Sequence, residues 1–213
     1  IAAAAGFAPR PLVAPVVDVE ALSRIAYSGG TTGKPKGIMT SHRNSAVSAM
    51  IQLMSWEWPK DVRHLVCAPL SHAGASVLTS VLVLDGSMVV LPGFDPVGVM
   101  QAIEQHRITS VLMVPTMVLA LIDHPRFGEF DLSSLEVIFY GASAFPAARL
   151  KDAIGKLGPI FFQFYGQAEA PMSITVMRRD EHDVNDMQRL ASCGRPTPMV
   201  RDALMDAESK VLP

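Results

Sequence analysis

The sequence has little cysteine, little charge and no long apolar run, and each shortage excludes a class of protein. Its two cysteines, Cys67 and Cys193, form no CxxC pair and no disulfide framework, which is typical of a reducing, cytoplasmic protein. Charged residues make up 18% and the net charge is -2, so we expect no nucleic-acid partner. The longest apolar stretches, 73–84 and 108–122, are shorter than the roughly 20 residues that span a membrane.

The first residues lack a start Met and a basic segment, so we interpret them as a linker or cut end and not as a signal peptide. Residues 1–20 contain three prolines and no pattern of a packed core. The 49% content of hydrophobic residues in the whole chain is enough for a sizeable core, which excludes intrinsic disorder.

Short β-rich runs alternate with helical stretches of about a dozen residues, which predicts an α/β fold with a largely parallel, helix-covered sheet. The predicted strands are 22–27, 37–40, 62–68, 87–91, 109–114, 136–140, 160–164 and 173–177, with 87–91 a buried strand. The predicted helices are 41–56, 74–84, 95–107, 116–123 and 146–157, capped at Ser41 and Asp95. Ligands bind at the carboxyl ends of such strands, so four loops are candidates: 28–36, 69–74, 141–145 and 165–170.

The loop from Tyr27 to Gly37 carries four glycines, three hydroxyls and two lysines within 11 residues. Glycines let backbone N–H groups approach a polyphosphate, and lysines supply positive charge. The spacing is not that of a Walker A loop, because Pro35 follows Gly33-Lys34 where that motif needs Ser or Thr. A P-loop kinase or NTPase is therefore disfavoured, and a surface hairpin with glycine in its turn is the simpler alternative.

This loop resembles the phosphate-binding segment of the adenylate-forming (AMP-binding) superfamily, whose usual form is Tyr-Thr-Ser-Gly-Thr-Thr-Gly-x-Pro-Lys-Gly. The superfamily includes acyl-CoA synthetases, peptide-synthetase adenylation domains and luciferases. The present chain has Ser28 in place of Thr and Gly29 in place of Ser. The resemblance implies that ATP is bound by Ser28, Gly29, Gly30, Thr31, Thr32, Gly33, Lys34 and Lys36, and it gives Lys36 a catalytic role.

Four further segments resemble the family in the same order along the chain, and the last of them, Ser192-Cys193-Gly194-Arg195-Pro196, resembles the turn that follows the magnesium segment in acyl-CoA synthetases. Residues 164–170 are similar to Tyr-Gly-x-Thr-Glu, which implies nucleotide binding by Gln163, Tyr165, Gly166, Gln167 and Ala168 and a catalytic, Mg²⁺-holding role for Glu169. Ala168 replaces the family's Thr, whose hydroxyl meets the α-phosphate. Residues 140–144 resemble the turn that borders adenine and the acyl pocket, which implies that Gly141, Ala142 and Ser143 bind the nucleotide. Residues 68–74 resemble a family segment beside the acyl channel, which implies that His72 borders this channel and binds the substrate.

The resemblance therefore implies an acid–thiol ligase, an acyl-CoA synthetase of the fatty-acid–CoA ligase type that uses ATP, Mg²⁺ and CoA. Its partners would be a small carboxylic acid, ATP and CoA, and an exposed sheet edge allows homo-oligomers. The chain would be an internal fragment of the large N-terminal domain, inactive alone. Its parts would be a linker (1–20), the phosphate-loop hairpin and following helix (21–60) and a second α/β subdomain (61–213). The alternatives are a degenerate, non-catalytic nucleotide binder and an adenylation domain of a peptide synthetase.

Overall fold

The computed structural model describes residues 16–28 and 36–211, without the side chains of Ser28 and His72. The chain divides into two compact units between Ser45 and Ala46, and each is described by itself. Among the described residues, no helix is both long and apolar enough to cross a lipid bilayer.

The first unit is an antiparallel pair of strands, β1 (Leu22–Ser28) and β2 (Lys36–Ser41), in which Ser28 pairs with Lys36. Helix α1 (His42–Ser55) begins directly after β2 and continues into the second unit. Its predicted cap is confirmed, because Ser41 Oγ accepts the N–H of Asn44 at 3.3 Å while the Ser41 N–H donates to Asn44 Oδ1 at 3.2 Å.

The described part of the second unit contains a seven-stranded sheet in the order β4-β3-β5-β6-β7-β8-β9. Neighbouring strands from β4 to β7 are parallel, and β8 and β9 run antiparallel. The strands are β3 (Arg63–Val66), β4 (Ser87–Val90), β5 (Ser110–Met113), β6 (Val137–Tyr140), β7 (Phe161–Gln167), β8 (Ala170–Met177) and β9 (Arg195–Pro196). The predicted fold class, a largely parallel sheet in an α/β chain, is confirmed.

The described part of this unit contains five further α-helices: α2 (Leu78–Val83), α3 (Pro96–His106), α4 (Pro115–Ile122), α5 (Ala147–Leu157) and α6 (Met187–Leu190). The side chains of β5 and β6 alternate between two apolar clusters because successive residues of a strand face opposite sides. Met113 and Tyr140 pack with α3, α4 and α5, whereas Leu112 and Phe139 pack with Trp56 and α2. The central strands are thus covered by apolar side chains on both faces, as expected for a parallel sheet.

Asp95 caps α3, as predicted, by accepting the Gly98 N–H on Oδ2 at 2.7 Å. Helix α5 begins at Ala147, and Pro146 is its cap residue and not its first helical residue. The sequence reasoning missed α6 and β9, which are only four and two residues long.

Three predicted elements need correction. The run 87–91 is not a buried strand, because β4 lies at the edge of the sheet with a single neighbour, and Val90 is 50% exposed. The predicted helix 74–84 begins only at Leu78, and a π-helical turn over Leu70–Gly74 precedes it. The predicted loop 165–170 is mostly strand, because β7 extends to Gln167 and pairs with β8 from Ala170.

Candidate functional site

A cavity of about 490 Å³ opens at the carboxyl ends of β6 and β7, where ligands bind in parallel sheets. Three segments form its walls: the turn and helix start after β6, the end of β7, and the stretch that follows α6. Its lining residues are Tyr140, Ala142–Ala147, Gln163–Gly166 and Leu190–Cys193. The cavity lies within the second unit.

The turn after β6 brings backbone unusually close to β7. A Cβ on Gly141 would lie 2.3 Å from the carbonyl oxygen of Phe164 and 2.6 Å from its ring, so only glycine fits there. The next residue, Ala142, has a left-handed φ of 66°, which costs free energy for a residue with a side chain. Strain of this kind clusters at functional sites, and both Ala142 and Ser143 line the cavity.

The second wall is the hairpin of β7 and β8, which turns through Ala168 and Glu169 between the paired residues Gln167 and Ala170. Gly166 permits the hairpin, because a Cβ there would lie 2.2 Å from the backbone nitrogen of Met172. Tyr165 is 37% exposed beside the cavity, and its hydroxyl oxygen accepts an N–H of Gln167 at 2.9 Å. This bond fixes one edge of the ring and leaves a partly exposed aromatic surface that could stack on a base.

The third wall was missed by the sequence reasoning. Leu190 closes α6, and Ser192 and Cys193 follow it before β9 begins. The carbonyl oxygen of Cys193 accepts the hydroxyl proton of Thr175, which attaches this segment to β8. The sequence contains a signal for this wall, the turn Ser192-Cys193-Gly194-Arg195-Pro196, but nothing in one sequence shows that it returns to the end of β6.

Tyr140 forms part of the cavity lining and was also missed, although it directly precedes the predicted residue Gly141. Its hydroxyl lies 2.9 Å from His182 Nε2, and His182 Nδ1 lies 2.7 Å from the carbonyl oxygen of Arg178. Burial raises the pKa of Tyr140, so the phenol stays protonated at neutral pH. Burial also lowers the pKa of His182, against the opposing effects of its hydrogen bonds and of Glu181 and Glu57.

The structure brings five of the predicted nucleotide residues to one cavity: Ala142, Ser143, Gln163, Tyr165 and Gly166. Gly141 lies directly beside them and shapes the wall without lining it. Gln167, Ala168 and Glu169 are exposed at the hairpin tip, just beyond the lining residues.

The other predicted residues lie on other elements of the described chain or outside the described residues. Lys36 is exposed at the start of β2 in the first unit, and the backbone of Ser28 pairs with it. Gly29, Gly30, Thr31, Thr32, Gly33 and Lys34 lie outside the described residues. The backbone of His72 lies in the turn Leu70–Gly74, in which the Gly74 N–H donates to the carbonyl oxygen of Pro69 at 3.0 Å.

Within the described ranges, no cluster of three or more His, Cys, Asp and Glu side chains could hold a metal ion. Glu169 is a single exposed carboxylate at the hairpin tip. Mg²⁺ is commonly held by one or two carboxylates together with substrate phosphates and water, and not by a cage of protein ligands. The donor set therefore fits Mg²⁺ that arrives with a nucleotide, and it does not fit a resident structural metal.

Comparison with known proteins identifies the family of the chain. A sequence model described as "AMP-binding enzyme" matches residues 3–213. The chain belongs to the AMP-binding enzyme family. This result confirms the resemblance to adenylate-forming enzymes that the glycine-rich loop and the Glu169 segment indicate.

Among named relatives of this AMP-binding chain, the medium/long-chain-fatty-acid–CoA ligase of Mycobacterium tuberculosis is 49% identical over 209 residues, covering 98% of this chain and 36% of the relative. A feruloyl-CoA synthase of Amycolatopsis is 34% identical over 183 residues, covering 85% of this chain and 36% of that protein. ATP-bound MatB of Rhodopseudomonas palustris has a similar structure, with a TM-score of 0.82 and 28% identity over 100% of this chain and 41% of MatB. The chain thus spans about a third of the length of the curated relatives that it matches.

Proposed function

We propose that the whole protein is an AMP-forming acyl-CoA synthetase and that this chain supplies its nucleotide-binding cavity. The observation that carries the proposal is the convergence of Ala142, Ser143, Gln163, Tyr165 and Gly166 on one cavity at the carboxyl ends of β6 and β7. These residues come from two separate segments, both implied by the resemblance to adenylate-forming enzymes. The identity of 49% to a fatty-acid–CoA ligase gives independent support.

The proposed reaction has two steps. A carboxylate oxygen of the acid attacks the α-phosphorus of ATP, the bond to the bridging oxygen breaks, and pyrophosphate leaves. The thiol sulfur of CoA then attacks the acyl carbon, AMP leaves with the carboxyl oxygen, and the thiol proton is released. No side chain acts as nucleophile, so the protein contributes binding, orientation and electrostatic stabilisation.

Five of the described residues have a stated role in this scheme. The ring of Tyr165 would stack on adenine, and the backbone of Ala142 and Ser143 would border the base. Glu169 would hold Mg²⁺ together with the phosphates of ATP, and that ion would neutralise negative charge on the departing pyrophosphate. Lys36 and the preceding loop would supply further charge to the phosphates, as the family resemblance implies.

The identity values also favour one substrate class. The relative named for medium- and long-chain fatty acids is 49% identical, whereas the relative named for the aromatic feruloyl group is 34% identical. We therefore propose a medium- or long-chain fatty acid as substrate and a role in fatty-acid metabolism. These relatives carry names of CoA ligases, which favours CoA over a carrier-bound thiol. A cytoplasmic location and association into homo-oligomers remain proposals of the same kind.

The test is acid-dependent exchange of labelled pyrophosphate into ATP by the whole protein, with fatty acids of different length and with aromatic acids. Exchange with fatty acids is the expected result. Glu169→Gln should lower the exchange rate by roughly tenfold or more, since removing even an outer partner of a metal site commonly costs that much. Glu129→Gln is the matched control, because Glu129 is a partly exposed carboxylate paired with Arg126 outside the cavity lining. Equal rates in the two variants would contradict the role of Glu169.

One observation favours a degenerate, non-catalytic nucleotide binder as the second candidate. Ala168 is exposed at the hairpin turn and has no hydroxyl for the α-phosphate. A hydrogen bond to a charged group contributes roughly 1.5–3 kcal/mol, so Ala168→Thr could raise the exchange rate by about 10- to 150-fold. ATP binding without exchange for any acid, with exchange appearing only in Ala168→Thr, would favour the degenerate binder.

A further inference from the structure

A chain of polar contacts leads from Arg178 through His182 and Tyr140 to Gln163. It begins at the carbonyl oxygen of Arg178, which can only accept a hydrogen bond, so His182 Nδ1 at 2.7 Å must carry a proton. His182 is 8% exposed, and its burial favours the neutral imidazole. A neutral ring with its proton on Nδ1 has an unprotonated Nε2, which accepts a hydrogen bond.

The acceptor on His182 determines the direction of the Tyr140 hydroxyl. Tyr140 is 1% exposed, and its oxygen lies 2.9 Å from His182 Nε2, so the single hydroxyl proton is donated to the histidine. The lone pairs of Tyr140 Oη are then available only to donors. The structure places the amide oxygen Oε1 of Gln163, which lines the cavity, 3.5 Å from Tyr140 Oη.

The hydroxyl in turn selects one orientation of the Gln163 amide. Two oxygens cannot share a hydrogen bond when the only proton points elsewhere, so the amide nitrogen is favoured at the position 3.5 Å from Tyr140 Oη. A rotation of the amide by 180° exchanges its nitrogen and oxygen and achieves this. The amide oxygen then turns away from Tyr140, and it offers an acceptor to a ligand in the cavity that Gln163 lines.

We propose that Tyr140 and His182 are positioning residues that orient the Gln163 amide so that the cavity selects a base with an exocyclic amino group over one with a keto group. The inference rests on the proposed function, since it takes the cavity to be the base site for ATP. An amino group donates to the amide oxygen, whereas the keto oxygen of hypoxanthine in ITP would face another acceptor. The pair thus favours ATP over ITP through the orientation of the Gln163 amide.

The experiment measures the binding of ATP and of ITP to the whole protein and takes the ratio of the two dissociation constants. The expected result for the unmodified protein is tighter binding of ATP. Tyr140→Phe removes the hydroxyl and frees the amide to rotate, so it should lower the preference for ATP by roughly three- to tenfold, the range expected for one neutral hydrogen bond. Gln163→Met should lower the preference at least as much, and Tyr140→Phe should have no further effect in that background.

Two other variants separate positioning from a loss of stability. His182→Asn keeps a donor near the position of Nδ1 and removes the acceptor for Tyr140, so it should lower the ATP preference like Tyr140→Phe. Ser110→Ala is the matched control, because it deletes another buried 2.9 Å contact between a hydroxyl and a histidine, that of Ser110 with His64, outside the cavity lining. Ser110→Ala should leave the ratio unchanged even if it lowers the melting temperature.

The outcomes distinguish the two proposals. Binding of neither nucleotide would overturn the proposed function and, with it, this inference. A preference for ATP that persists in Tyr140→Phe and His182→Asn would overturn the inference alone. Equal effects of Tyr140→Phe in the presence and absence of Gln163 would also overturn it, because the tyrosine would then act by another route.

Discussion

Replacing His64 by asparagine is expected to reduce the loss of stability that acidification causes. His64 lies on β3 with 1% exposure, and its Nδ1 is 2.9 Å from Ser110 Oγ on β5. Burial lowers the pKa of His64 from 6.5 to about 3. Between these two values the unfolded chain binds a proton that the folded chain does not bind, so the free energy of unfolding decreases as the pH falls.

The size of this effect follows from the difference between the two pKa values. A change from 6.5 to about 3 corresponds to about 5 kcal/mol once the pH is below both values, at about 1.4 kcal/mol for each tenfold change in proton affinity. At about pH 5 the same linkage amounts to about 2 kcal/mol. Stability conferred by the neutral ring is fully present above the unfolded-state pKa and is lost progressively below it.

Urea unfolding at about pH 7.5 and about pH 5 measures the effect directly. The unmodified chain should lose about 2 kcal/mol more between the two conditions than His64→Asn, in which the side chain cannot titrate. Asparagine retains an amide near the position of Nδ1, and the contribution of His182 is the same in both proteins. His106→Asn, which changes an exposed histidine, should behave like the unmodified chain. Parallel losses in the unmodified chain and His64→Asn would refute the reasoning.

Three further predictions concern turns, caps and thiols. Gly166→Ala should destabilise the chain by roughly 3 kcal/mol and weaken ATP binding, because the added methyl group collides with backbone atoms. Gly155→Ala, at an open position of α5, should instead stabilise the chain by about 0.5–1 kcal/mol. Urea unfolding measures the stability of both variants, and nucleotide titration measures their ATP binding. Asp95→Ala should cost about 1 kcal/mol in the same unfolding assay through loss of the helix cap. Cys193 is exposed and should react with a thiol reagent at neutral pH. Cys67 is buried, burial raises its pKa to about 11, and it should react only when the chain unfolds. A colorimetric assay should therefore detect one fast-reacting thiol in the folded chain, and two would contradict the prediction.

Features that depend on a few neighbouring residues could be predicted from the sequence. The caps at Ser41 and Asp95 form hydrogen bonds to residues three positions away, so the local pattern contains the whole interaction. The failures concern features that depend on partners distant in sequence. The apolar run of β4 looks like a buried strand, and only its place at the edge of the sheet explains the exposure of Val90.

The candidate site follows the same division. Ala142, Ser143, Gln163, Tyr165 and Gly166 were predicted because short motifs carry them, and the cavity brings them together. The missed lining residues Leu190–Cys193 lie on a segment that reaches the end of β6 only through the order of strands in the sheet. The extension of β7 to Gln167 was missed for a similar reason. In the sequence Gly166 indicates a turn, and only the pairing of β7 with β8 shows that this stretch is a strand.

The hairpin of β7 and β8 sets the distance between Tyr165 and Glu169. Tyr165 and Gln167 lie two residues apart in β7 and are hydrogen-bonded to each other, the pairing with β8 shifts its register between them, and the turn that carries Glu169 follows at once. One residue inserted here would change the pairing of β7 with β8 and the distance from Tyr165 to Glu169. The number of residues in this segment is therefore constrained more strictly than their identities, and a substitution at the exposed residue Ala168 should disturb the hairpin less than a change of loop length.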